Sequence, residues 1–156
     1  MNQFEIFFDG LYLSLVIFLG IRMLLINHED SKTLGAMTLL LGLGDSFHLV
    51  PRIIANVMDN GFVLNSTSLF IGTRVSSITM SVFYLLFYFY IKKTRDLKNK
   101  GLDLTMLGLF VARLVTVLMS FKMATNIDLI SNLPFVIMGL IDIVLLFKNR
   151  NLKAFK

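Results

Sequence analysis

The chain has no cysteine and only two histidines, His28 and His48. Without thiols, disulfides and thiolate metal sites are excluded. No histidine follows position 48, so a catalytic zinc centre with three protein ligands cannot be assembled convincingly from His48, Asp45 and Asp142. A G-x-S-x-G elbow is also missing, and one membrane histidine would have to serve every role in a serine hydrolase. The residues Met1-Asn2-Gln3-Phe4-Glu5 lack a basic n-region, so the first apolar segment reads as a retained span and not as a cleaved signal peptide. No internal repeat is discernible. Together these absences point away from an enzyme: no catalytic residue, metal or cofactor is expected.

What is present is apolar side chain. Of 156 residues, 56% are hydrophobic, and the mean hydropathy is +0.76. That excess points to an all-α polytopic membrane protein forming one transmembrane domain over residues 1–156. The net charge of +5 could suggest nucleic acid. The positives sit in short loops beside apolar spans, however, so they read as topology signals facing anionic headgroups, with no nucleic-acid partner.

Five apolar segments are each long enough to cross a hydrocarbon core of roughly 30 Å. They run at about Ile6–Ile26, Thr33–Val57, Leu69–Ile91, Leu104–Ala124 and Leu129–Phe147. Gly61 suits a left-handed cap after the second helix. Thr67 or Ser68 can cap the third and Asp103 the fourth. Pro134 fits the first turn of the fifth. Lys92, Lys93, Arg95, Lys98 and Lys100 follow span three, and Lys148, Arg150, Lys153 and Lys156 lie in the C-terminal tail. The loop 60–68 has no positive charge. The positive-inside rule then puts the N-terminus outside and the C-terminus in the cytoplasm, with Lys122 a mild exception. The aromatic run 83–90 before Lys92 reads as an interface belt. Gly72-x-x-x-Ser76 and Gly108-x-x-x-Ala112 permit close helix approach.

Charges inside the spans are the most informative feature, because each is costly there. Span two carries Thr38, Asp45, His48, Arg52, Asn56 and Asp59 at helical spacing, with Pro51 kinking the helix and freeing the carbonyl of Phe47. Span three offers Arg74, Ser77, Ser81, Tyr84 and Tyr88, and span four Arg113, Thr116 and Ser120. Span five adds Asn132 and Asp142. Asp9 and Arg22 lie near the two ends of span one, where they can snorkel. By depth, Asp45, Arg113 and Asp142 form the floor of an outward-facing polar funnel whose wall includes His48, Arg52, Arg74 and Asn132. Three arginines against two aspartates leave an excess charge of +1 with His48 neutral, which favours an anionic guest. His28 reads as a solvated loop residue.

The run Gly42-Leu43-Gly44-Asp45-Ser46-Phe47-His48-Leu49-Val50-Pro51-Arg52 resembles the signature of a family of bacterial multi-pass membrane proteins, roughly G-x-G-D-[SA]-F-H-L-[VI]-P-R. Residues 77–84 and 132–140 are similar to the same family, so the likeness covers spans two to five. The resemblance implies a multi-pass protein of the bacterial cytoplasmic membrane and no particular reaction. Members of that family continue to about seven spans. This chain stops where a sixth would begin, which leaves a truncated product, a split gene and a short variant as readings. A weaker likeness, to intramembrane zinc hydrolases of the alkaline ceramidase type, fails on the count of histidines.

Two functions remain open at this point. One is a sensor or transport component that binds a small anion or anionic lipid headgroup through Asp45, His48, Arg52, Arg74, Arg113, Asn132 and Asp142. The other is a structural or accessory membrane subunit whose charges pair internally. Proton-coupled movement through Asp45, His48 and Asp142 is a third possibility. The bilayer is the common partner; a homo-oligomer and a partner membrane subunit both stay open.

Overall fold

The computed structural model describes residues 3–121 and 127–148, and every regular element among them is a helix. In order these are α1 (Gln3–Leu25), α2 (Glu29–Val57), α3 (Gly61–Leu64), α4 (Ser66–Thr94), α5 (Lys100–Ser120) and α6 (Ile127–Lys148). α1, α2, α4 and α5 are each long and apolar enough to cross a membrane. In α6 the described apolar stretch is Asn132–Phe147, shorter than the roughly 20 residues of an ordinary span. Lys122, Arg150, Lys153 and Lys156, invoked above for orientation, lie outside the described residues.

The distribution of side chains is inverted relative to a water-soluble protein. Phe4, Phe7, Phe8, Leu15 and Phe18 of α1 are exposed, as are Leu104, Val111 and Leu118 of α5. Asp9, Asp45, Asn56, Arg113 and Asp142 are buried. Water penalises apolar patches of this extent, whereas lipid accepts them and instead penalises exposed polar groups. The all-helical architecture and its polar interior thus fit a helical bundle embedded in a membrane.

Helix ends depart from several sequence expectations. Asn60, not Gly61, takes the left-handed conformation after α2, with φ 55° and ψ 23°. Asparagine tolerates that region by local hydrogen bonding. Gly61 is needed for space: a Cβ there would stand 2.2 Å from the Ala55 carbonyl oxygen. α4 begins at Ser66, so Thr67 and Ser68 lie within its first turn. Asn99, not Asp103, caps α5, its side chain accepting from the Leu102 amide at 3.2 Å. Pro134 lies inside α6 and beyond its first turn, because the helix already starts at Ile127.

The chain divides into two compact units, Met1–Phe83 and Tyr84–Lys156. In the first, α1 and α2 form an antiparallel pair with extensive contact. Gly35 permits it: a Cβ there would come within 2.9 Å of the Gly20 carbonyl and the Leu24 amide nitrogen. The second unit is built around Tyr88, Met106 and Met138 from α4, α5 and α6. Tyr88 is therefore a core residue there, 1% exposed, and not part of an interface belt. Arg95 closes the far end of α6 by donating to the carbonyls of Leu145 at 2.6 Å and Leu146 at 3.2 Å. These are carbonyls that the end of a helix leaves without amide partners.

Candidate functional site

The polar site of the first unit follows from the antiparallel register of α1 and α2. Residues that advance along one helix meet residues that recede along the other. Tyr12 meets Asp45, Asp9 meets Arg52, and Glu5 meets Asn56. The Tyr12 hydroxyl donates to Asp45 Oδ2 at 2.7 Å. Arg52 grips Asp9 with two donors, Nε to Oδ2 at 2.7 Å and Nη2 to Oδ1. Asn56 Nδ2 donates to its own helix at the Arg52 carbonyl, 3.1 Å away, and reaches Glu5 Oε2 at 3.4 Å.

Asp9 is thus no snorkelling surface residue. It is 2% exposed and compensates the Arg52 guanidinium. Its importance is signalled in the sequence by the steps Glu5, Asp9, Tyr12, which at four and three residues define one face of α1. The position of Asp9 near the chain start masks that signal, because terminal charges usually reach water.

α4 supplies the other wall. Ser76 Oγ donates to Asp45 Oδ1 at 2.6 Å, so each oxygen of Asp45 accepts one hydroxyl. Ser76 was expected only as a small packing residue, yet the step that brings Gly72 onto α2 also aims Ser76 at the carboxylate. Thr73 lies between them. Its hydroxyl proton goes to the Leu69 carbonyl at 2.6 Å, and the same oxygen is 3.3 Å from His48 Nδ1. Arg74 turns its guanidinium over the Phe70 ring, 4.2 Å from the centroid. A cleft of about 400 Å³ opens beside this cluster, with Asn56, Asp59, Asn60 and Phe62 in its wall. Among the described residues, no lysine, arginine or histidine lines it.

The remaining candidate residues belong to the second unit. Arg113 is 4% exposed, with its guanidinium carbon 5.9 Å from the Phe135 ring centroid. Asn132 is exposed. Asp142 is 1% exposed, and neither of its oxygens has a hydrogen-bond partner among the described residues. Asp103, expected as a helix cap, instead accepts from the Tyr88 hydroxyl at 2.7 Å and from Lys92 Nζ at 2.5 Å.

Chemically, the first-unit cluster can hold charge and hydrogen bonds in place, and its donors and acceptors are largely matched to one another. Among the described residues no three histidine, aspartate or glutamate side chains group so as to hold a metal ion. No protein family, curated protein or solved structure matches the chain.

Proposed function

We propose that the chain is a structural or accessory subunit of a membrane, non-enzymatic, whose intramembrane charges are paired internally and fix the register of its helices. The observation that carries this reading is the two-donor grip of Arg52 on Asp9, next to an Asp45 whose two oxygens are both taken. Asp9 also changes the charge balance. Within the first unit Arg52 and Arg74 stand against Asp9 and Asp45, two against two, so no excess charge there favours an anion. Among the described residues, the cleft beside the cluster offers no cationic side chain to an anion. Asp9 is buried and Arg52 partly so, and a satisfied charge pair inside a fold is best attested as a device that specifies one register over its alternatives.

In this reading five helices cross the bilayer with the N-terminus outside, supported by the positive run 92–100 after α4 and its absence from 60–68. The motif around Asp45 supports a bacterial cytoplasmic membrane. Charge exchange tests the proposal. Asp9→Arg and Arg52→Asp should each reduce the yield of folded protein, and the double exchange should restore much of it. Normal folding of both single variants would overturn it.

The second reading is a small-anion or lipid-headgroup site, and the burial of the Arg113 guanidinium favours it. Native mass spectrometry of the purified protein with phosphate would test that. Binding unchanged by Arg113→Ala, or no binding, would exclude it.

A further inference from the structure

The buried carboxylates of the first unit are matched: Asp9 by Arg52, Asp45 by Tyr12 and Ser76. Asp142 of the second unit is not. It sits on α6 one turn after Met138 and one turn before Leu145, both part of the apolar core. It is 1% exposed, and both oxygens lack a hydrogen-bond partner among the described residues. An ionised carboxylate in such surroundings is strongly disfavoured. An opposite charge, a metal ion or a proton can relieve it.

Among the described residues, the charged and titratable groups on the elements packed around Asp142 do not provide the first. From α4, Tyr84 rests on Gly139, where an added Cβ would stand 3.4 Å from the tyrosine ring. Tyr88 commits its hydroxyl to Asp103. From α5, Asp103 is already neutralised by Lys92. Arg113 stands over Phe135, two helical turns or about 10 Å along α6 from Asp142. Arg95, just past α4, spends two donors on the carbonyls of Leu145 and Leu146. A metal ion would need several more oxygen ligands, and the described residues offer no group of three acidic or histidine side chains.

We propose that Asp142 is a proton-binding site, a neutral carboxylic acid held inside the second unit. This goes beyond the structural reading, which assigns a role only to paired charges. An acid kept neutral in an apolar core is a store for one proton, released only if water or a positive charge gains access.

Two measurements on the full chain in detergent micelles test it. The first is labelling with dicyclohexylcarbodiimide, an apolar reagent selective for protonated carboxyl groups. The acid proton moves to a carbodiimide nitrogen, the carboxylate oxygen adds to the central carbon, and acyl migration leaves a stable N-acylurea. Peptide mass mapping should find this adduct on Asp142 and not on Asp9 or Asp45, and Asp142→Asn should abolish it. The second is the infrared carbonyl band of a protonated carboxylic acid, which the wild type should show at neutral pH and Asp142→Asn should lose without any loss of folded yield. The infrared band decides where reagent access limits labelling. Absence of a band that depends on Asp142 overturns the proposal, as does its appearance only after sodium and potassium are removed.

Discussion

Gly72 lies with its α-carbon against the carbonyl oxygen of Phe47, the oxygen that Pro51 leaves without an amide donor four residues on. A Cβ at position 72 would stand 1.9 Å from that oxygen and 2.7 Å from its carbon. Proline inside a transmembrane helix is tolerated where a neighbouring element covers the exposed backbone. Here the cover is the backbone of α4, and only glycine allows it so close.

Gly72→Ala should therefore destabilise the protein by about 1–3 kcal/mol or more, the usual cost of overpacking where the obstacle is backbone and cannot rotate away. Gly108→Ala is the control, since a Cβ there meets nothing within 4 Å. Unfolding in mixed micelles of rising SDS content would read both. Equal behaviour of the two variants would contradict the close α2–α4 approach.

The contrast between these glycines illustrates what the sequence could and could not reveal. Both belong to small-x-x-x-small patterns, and the pattern alone does not say whether a stripe faces protein or lipid. Helix positions were legible because apolar runs reflect the hydrocarbon core. Helix ends were less so: backbone hydrogen bonding continues past that core, carrying α4 from Ser66 to Thr94. The stripe Asp45, His48, Arg52 was legible from its spacing. Its partners were not, because contact depends on how α1 and α2 are aligned. That alignment turns on Gly35 and Gly20, which have no hydropathy signature of their own.

Arg52→Gln should cost roughly 1.5–3 kcal/mol by removing charge-assisted bonds to Asp9. Asp9→Asn should cost a similar amount, and the double variant less than the sum, because each single change strands the other group. A double-mutant cycle by SDS unfolding gives the coupling. Additive losses would mean that the pair does not act as a unit.

Tyr12→Phe and Ser76→Ala each remove one donor from Asp45 and leave the packing of α1 and α4 nearly intact. Hydrogen bonds to an ionised group contribute roughly 1.5–3 kcal/mol, so each variant should lose stability within that range. Asp45→Asn should partly offset the loss in the Tyr12→Phe background, because a neutral amide needs less compensation than a carboxylate. A larger loss in the double variant than in either single one would argue that the Asp45 charge has a further partner.

The turn between α2 and α3 separates two demands that sequence reading assigns to one residue. Asn60 meets the demand for positive φ, and Gly61 the demand for space beside Ala55. Asn60→Gly should be neutral or mildly stabilising, whereas Asn60→Ala should cost about 1–2 kcal/mol, the penalty for an L side chain in the left-handed region. Gly61→Ala should be worse than either. Its Cβ would sit 2.2 Å from the Ala55 carbonyl oxygen, and relief requires moving the backbone at the end of α2, next to Asn56. The same SDS titration ranks the three variants. If Gly61→Ala were milder than Asn60→Ala, the left-handed residue and the close-packed residue would have to be exchanged, and the orientation of Asn56 toward Glu5 would need another cause.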